Sequence, residues 1–123
     1  MTVLAAIDGE EGSERVVSRG HELATAFDED LVVFHAKQTE DGEVAERVAR
    51  DVAESALDDP ASATVVGRRG NPAERVLKEA DERDVDYIVL GPPRRTPMGK
   101  MLLGSVAQLV ILNTDRSVVI AGE

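Results

Sequence analysis

Five short apolar runs, each parted from the next by a stretch with helical spacing, constrain this chain more than any other feature. TVLAAI (2–7) ends at the turn signal Asp8-Gly9 and reads as a buried strand. LVVFHAK (31–37), ATVV (63–66), DYIVLG (86–91) and SVVIA (117–121) read the same way. Between them lie four helical segments. The first runs from Ser13, read as its N-cap, to Phe27, with Gly20 placed for close packing on the sheet. The second, 43–57, sets Val44, Val48, Val52 and Leu57 along one face, with Glu46–Arg50 as a supporting pair. Asn71-Pro72 is a cap followed by proline at the first helical position. It opens a third helix to about Arg83 that buries Ala73, Val76, Leu77 and Ala80. The fourth spans about Ser105 to Asn113.

This alternation implies βαβ units with right-handed crossovers, hence an α/β fold: a parallel sheet with helices on both faces. The composition agrees. Phe27, Phe34 and Tyr87 are the only aromatic residues, so Val, Leu, Ile and Ala must fill the core, as suits a sheet buried on both sides. At 123 residues, positions 1–123 are expected to form one domain. In such sheets ligands bind beyond the carboxyl ends of the strands, where the strand order reverses. Functional residues are therefore expected near Asp8, Ala36, Gly67 and Gly91.

Several classes of function are excluded early. The chain has no cysteine, which removes disulfides, thiolate metal sites and a cysteine nucleophile. No apolar run reaches the roughly 18–20 residues that span a bilayer, and no signal-peptide pattern opens the chain, so a cytoplasmic location is expected. The net charge of −10 disfavours nucleic acid and anionic membranes as partners. High Asp and Glu beside only three lysines suggests a halophilic host. The charge is uneven: residues 1–60 carry 16 acids and 5 bases, residues 61–123 carry 8 acids and 9 bases. Arg68, Arg69, Arg94, Arg95 and Lys100 fall in two predicted loops, which read either as ordinary solvated loops or as a local anion site on an acidic protein.

The loops differ in what they can bind. DGEEGS, after the first strand, holds three carboxylates in four residues and would repel phosphate. Asp8, at the strand end, can instead accept hydrogen bonds from a base or ribose, or serve as an Asx turn before Gly9. After the fourth strand, Gly91 leads through Arg94, Arg95 and Lys100 to Gly104-Ser105 at a helix start, a place that favours an anion. The Ser105 hydroxyl there either caps the helix or bonds a phosphate oxygen. His35 reads as a hydrogen-bonded structural residue and His21 as solvent-facing. No nucleophile elbow and no metal-ligand spacing is present. Catalysis is confined to slow nucleotide hydrolysis at most.

Over nearly its whole length the chain resembles the universal stress protein family. AIDGEEGSERVV, VVFHAK, GNPAERVLKEADERDVDYIVLG and LLGSVAQLVI carry the resemblance, the last most specifically. It implies an adenine nucleotide alpha hydrolase-like three-layer sandwich with five strands in the order 3-2-1-4-5. It also implies a homodimer formed through the C-terminal strand. The family's ATP-binding branch reads G-x2-G-x9-G-[ST], with ATP or another adenine nucleotide as ligand, accompanied by Mg2+. By that resemblance Gly91, Gly104 and Ser105 match the motif at its spacing, Asp8 meets the adenosine, and Ala36 supplies a backbone contact. The departure is Arg94 at the second glycine, preceded by Pro92 and Pro93, which lack N–H donors. A guanidinium can replace lost amides as a phosphate ligand. The link between the second and third strands is also short for the family, leaving a smaller wall around an adenine. Two readings follow: a stress protein with a modified nucleotide or anion pocket, or one that acts through protein contacts without nucleotide.

Overall fold

In the computed structural model, which describes residues 1–122, seven strands and four helices follow one another along the chain. Five strands form one parallel sheet: β1 (Thr2–Ile7), β2 (Asp30–Lys37), β3 (Ala63–Arg69), β4 (Tyr87–Leu90) and β7 (Ser117–Ile120). Their order is β3-β2-β1-β4-β7, the expected 3-2-1-4-5 with β7 as the fifth member. The two remaining strands, β5 (Arg94–Arg95) and β6 (Met101–Leu102), pair antiparallel in a small hairpin.

The helices are α1 (Ser13–Ala26), α2 (Gly42–Ala56), α3 (Pro72–Arg83) and α4 (Ser105–Asn113). Alternate residues of the sheet face opposite ways, and two cores result. Val3, Ala5, Val33 and Val89 pack with Val16, Val17, Ala49 and Ala53 from α1 and α2. Leu4, Val32, Phe34 and Ile88 pack with Val76, Ala80, Ala107 and Val110 from α3 and α4. Burying a side chain such as Phe34, which is fully inaccessible, contributes about 2–3 kcal/mol. No helix among the described residues is long and apolar enough to cross a membrane.

Three local expectations are corrected. The buried face of α2 is centred on Ala45, Ala49 and Ala53, whereas Val48 and Val52 lie at its margins and Val44 is exposed. The reason is close approach. A Cβ on Gly67 of β3 would sit 1.9 Å from the Glu46 backbone nitrogen, so only small residues fit beneath α2. Second, β3 continues past Gly67: Arg68 and Arg69 pair with Ala36 and Lys37 and belong to the strand. Third, Ser13 is the first residue of α1 and not its cap. Gly12 occupies the cap position with φ 96°, a left-handed conformation that favours glycine. Elsewhere the local signals hold. The Asn71 side chain accepts from the Glu74 N–H, and Gly20 faces Leu31 and Ala5 at distances tight for an added Cβ.

Candidate functional site

The chain builds β1, β2 and β3 outward in one direction, then places β4 and β7 on the other side of β1. The order therefore reverses at β1 and β4, and the loops after these two strands diverge around the crevice where such sheets bind ligands. Asp8 leaves β1 there, and Gly91 follows β4. The loops touch: a Cβ on Gly12 would lie 3.4 Å from Pro92.

Asp8 is held firmly on one side. Its Oδ1 accepts from the Glu10 N–H at 2.8 Å, the Asx turn expected before Gly9, and from the Ser13 hydroxyl at 3.2 Å. Its Oδ2 meets the Arg94 guanidinium at 3.2 Å. Both side chains are exposed, 61% for Asp8 and 65% for Arg94, so this ion pair is a surface contact worth about 0–1 kcal/mol. Ala36 is buried one residue beyond His35, which pairs with Ile7, the residue before Asp8. It thus lies one residue before the end of β2, beside the start of the Asp8 loop. His35 is buried as expected: Nδ1 meets the Ile7 carbonyl at 3.1 Å and Nε2 meets Glu40 at 2.9 Å. His21 is exposed.

From Gly91 the chain passes Pro92 and Pro93 into β5, turns at Thr96–Lys100, and returns through β6 to α4. Arg94 pairs in register with Leu102, which fixes its backbone while leaving the side chain exposed. Gly104 is the cap residue of α4, and a Cβ there would meet nothing within 4 Å. Ser105 is exposed at the first helical position and makes no side-chain cap, which removes the simple capping role. The first N–H groups of such a helix have no partner within it and carry the positive end of its dipole.

The expected basic cluster divides. Arg68 points to Glu79 of α3 at 3.3 Å, and Arg83 meets the same carboxylate. Arg69 donates to the Gln38 carbonyl and Arg95 to the Gly99 carbonyl. Of the five basic residues, Arg94 alone pairs with Asp8. Glu79, 4% exposed, escaped notice in the sequence because it falls between apolar positions of α3. Burial pushes its carboxyl up, but hydrogen bonds and charge from Arg83 and Arg68 outweigh that and hold it below the usual carboxylate range. Two surface hollows, about 470 and 280 Å³, lie at the opposite end of the sheet around Tyr87 and Leu31. Carboxylates line both, Glu29 and Asp86 in one and Asp28 and Glu29 in the other, which does not suit an anion.

The model of the Universal stress protein family matches residues 1–122. The chain belongs to the universal stress protein family. Its likeness to individual universal stress proteins is partly local. One from Methanothermobacter thermautotrophicus is 46% identical over 46 residues, 37% of this chain and 31% of that protein. One from Mycolicibacterium smegmatis is 42% identical over 45 residues, 37% of this chain and 35% of that one. These matches therefore span about a third of each relative's length. Among solved structures the likeness is global. A universal stress protein from Archaeoglobus fulgidus superposes with a TM-score of 0.73 at 26% identity, covering 98% of this chain and 97% of that one. A universal stress protein in complex with cAMP gives 0.70 at 24% identity, covering 99% and 96%. The Archaeoglobus fulgidus protein in complex with dAMP gives 0.67 at 24%, covering 98% and 96%. At that identity the two complexes show a shared fold for this universal stress protein.

Proposed function

We propose that this universal stress protein binds an adenine nucleotide at the carboxyl ends of β1 and β4. Asp8 receives the nucleoside, Ala36 and Gly91 lie along its edges, and Arg94, Gly104 and Ser105 serve the phosphates. The observation that carries the reading is the contact between Asp8 and Arg94 at the point where the strand order reverses. The open backbone at Gly104 and the exposed start of α4 support it by offering amide donors to an anion. Nucleotide complexes of two structural relatives are in keeping with it. Among the described residues no group of three or more His, Asp or Glu is placed for a metal ion. Mg2+ binds through substrate phosphates with one or two carboxylates and waters, so an ion accompanying the nucleotide needs no such group.

Self-association through β7 belongs to the same proposal. β7 is an edge strand of the sheet, and edge strands offer unpaired backbone groups. On α4, Leu109, Ile111 and Leu112 are 48%, 40% and 79% exposed, an apolar surface that a second copy would cover. The same surface favours a second reading, a stress protein that works through protein contacts.

Mass spectrometry of gently purified protein, followed by calorimetry with AMP and ATP, tests the nucleotide reading. A co-purifying adenine nucleotide and saturable heat are expected. Absence of heat in both low and molar salt overturns it. Sedimentation is expected to give a dimer, and a monomer at high concentration rejects assembly through β7.

A further inference from the structure

We infer that Arg94 sets the ligand preference of this site by exchanging Asp8 for a phosphate, so that phosphate-bearing ligands are selected over the bare nucleoside. The inference rests on the nucleotide reading and deepens it. Asp8 and Arg94 are unequally committed to each other. The Asp8 carboxylate is positioned independently of the arginine, because Oδ1 is fixed by the Glu10 N–H and the Ser13 hydroxyl. Arg94 touches it through a single nitrogen, Nη2, at 3.2 Å. A guanidinium carries five N–H donors in a rigid fork, so most of its donor capacity lies outside this contact. Its backbone is pinned by the pairing with Leu102, so the side chain can change partner without the loop refolding.

A phosphate competes well for such a group. It can take two parallel N–H bonds from the fork, which are stronger than the single contact to Asp8. Asp8 is released by the same event and keeps its position through Glu10 and Ser13, ready to accept hydrogen bonds from the nucleoside. A nucleoside without phosphate must displace Arg94 from Asp8 and offers the guanidinium nothing in return. Neither neighbouring basic residue pairs with Asp8: consecutive residues of a strand face opposite ways, so Arg95 turns away from Arg94 and donates to the Gly99 carbonyl on its own hairpin.

The test is calorimetry with adenosine and with AMP on the wild type, Arg94→Gln and Arg94→Lys; glutamine removes the charge without restoring the glycine of the motif. Wild type is expected to prefer AMP over adenosine by at least about tenfold, the range of one or two charge-assisted hydrogen bonds. In Arg94→Gln the preference should shrink by at least about fivefold, because adenosine gains and AMP keeps only what Gly104 and Ser105 supply, and Arg94→Lys should fall between. Raising the salt should strengthen adenosine binding to wild type by up to about fivefold, the worth of an exposed ion pair, and leave Arg94→Gln unmoved. An AMP preference that survives Arg94→Gln unchanged overturns the inference while the nucleotide reading stands. So does a wild type that prefers adenosine. No binding of either ligand to wild type or to Arg94→Gln overturns both together.

Discussion

On either side of β1 the sheet is finished in opposite ways. Toward β3 it is filled. Gly67 lies against the backbone of α2, and Glu79 is sealed between Arg68 and Arg83. Toward β4 it is open. Gly104 has free space around it, and Asp8 and Arg94 share one exposed contact. Each side has a glycine and a carboxylate–arginine arrangement, so residue type does not distinguish them. Surroundings do. A glycine with backbone pressed on it is there for packing, whereas one facing open space leaves room for another molecule. A carboxylate paired with two arginines in the interior holds the fold, and one paired at the surface with a single exposed arginine can change partner.

Substitution at the filled side should cost the most. Gly67→Ala would drive a Cβ into Glu46 and Ala45, and α2 must lift off the sheet, at a cost of about 3 kcal/mol. A denaturant midpoint within error of wild type would show that α2 can yield there. Glu79→Gln should follow, with a loss of about 2 kcal/mol as two charge-assisted bonds weaken. Because the folded Glu79 carboxyl titrates below its unfolded value, its contribution is fully present above about pH 4.3. It is lost as pH falls through the lower folded value. Wild type should therefore lose more stability than Glu79→Gln between neutral pH and about pH 3, and parallel acid limbs would refute the assignment.

On the open side the same kinds of change should scarcely register in stability. Asp8→Asn is expected to cost at most about 1 kcal/mol, since its ion pair is exposed, while weakening adenosine and AMP alike in calorimetry. Gly104→Ala should cost no more than about 1 kcal/mol as a cap substitution, with any larger effect confined to the AMP heat. A large drop in the midpoint for either variant would erase the contrast between the two sides.

Much of the fold was legible because it rests on periodicity. The five parallel strands, the four helices and the Asn71-Pro72 start follow from apolar spacing and cap chemistry. What misled is instructive. Val44, Val48 and Val52 look like the buried face of α2 because valine is more hydrophobic than alanine. The constraint was distance, and the close pass over Gly67 admits Ala45, Ala49 and Ala53 instead. The β5–β6 hairpin was unreadable, since two-residue strands carry no period. The candidate site was half legible. Asp8, Arg94, Gly104 and Ser105 could be nominated from position in the chain. That Arg94 reaches back across 86 residues to Asp8 is a tertiary fact, which no local pattern encodes.

Tyr87 opens β4 with its ring stacked on Phe27, centroids 5.6 Å apart, and it is the chain's one tyrosine in the absence of tryptophan. Intrinsic ultraviolet emission therefore comes from a single known place, the amino-terminal end of the sheet. Asp8 and Arg94 lie at the other end. The molecule thus carries an optical gauge of its own folding that is remote from the candidate site, so loss of binding and loss of structure can be told apart in one cuvette.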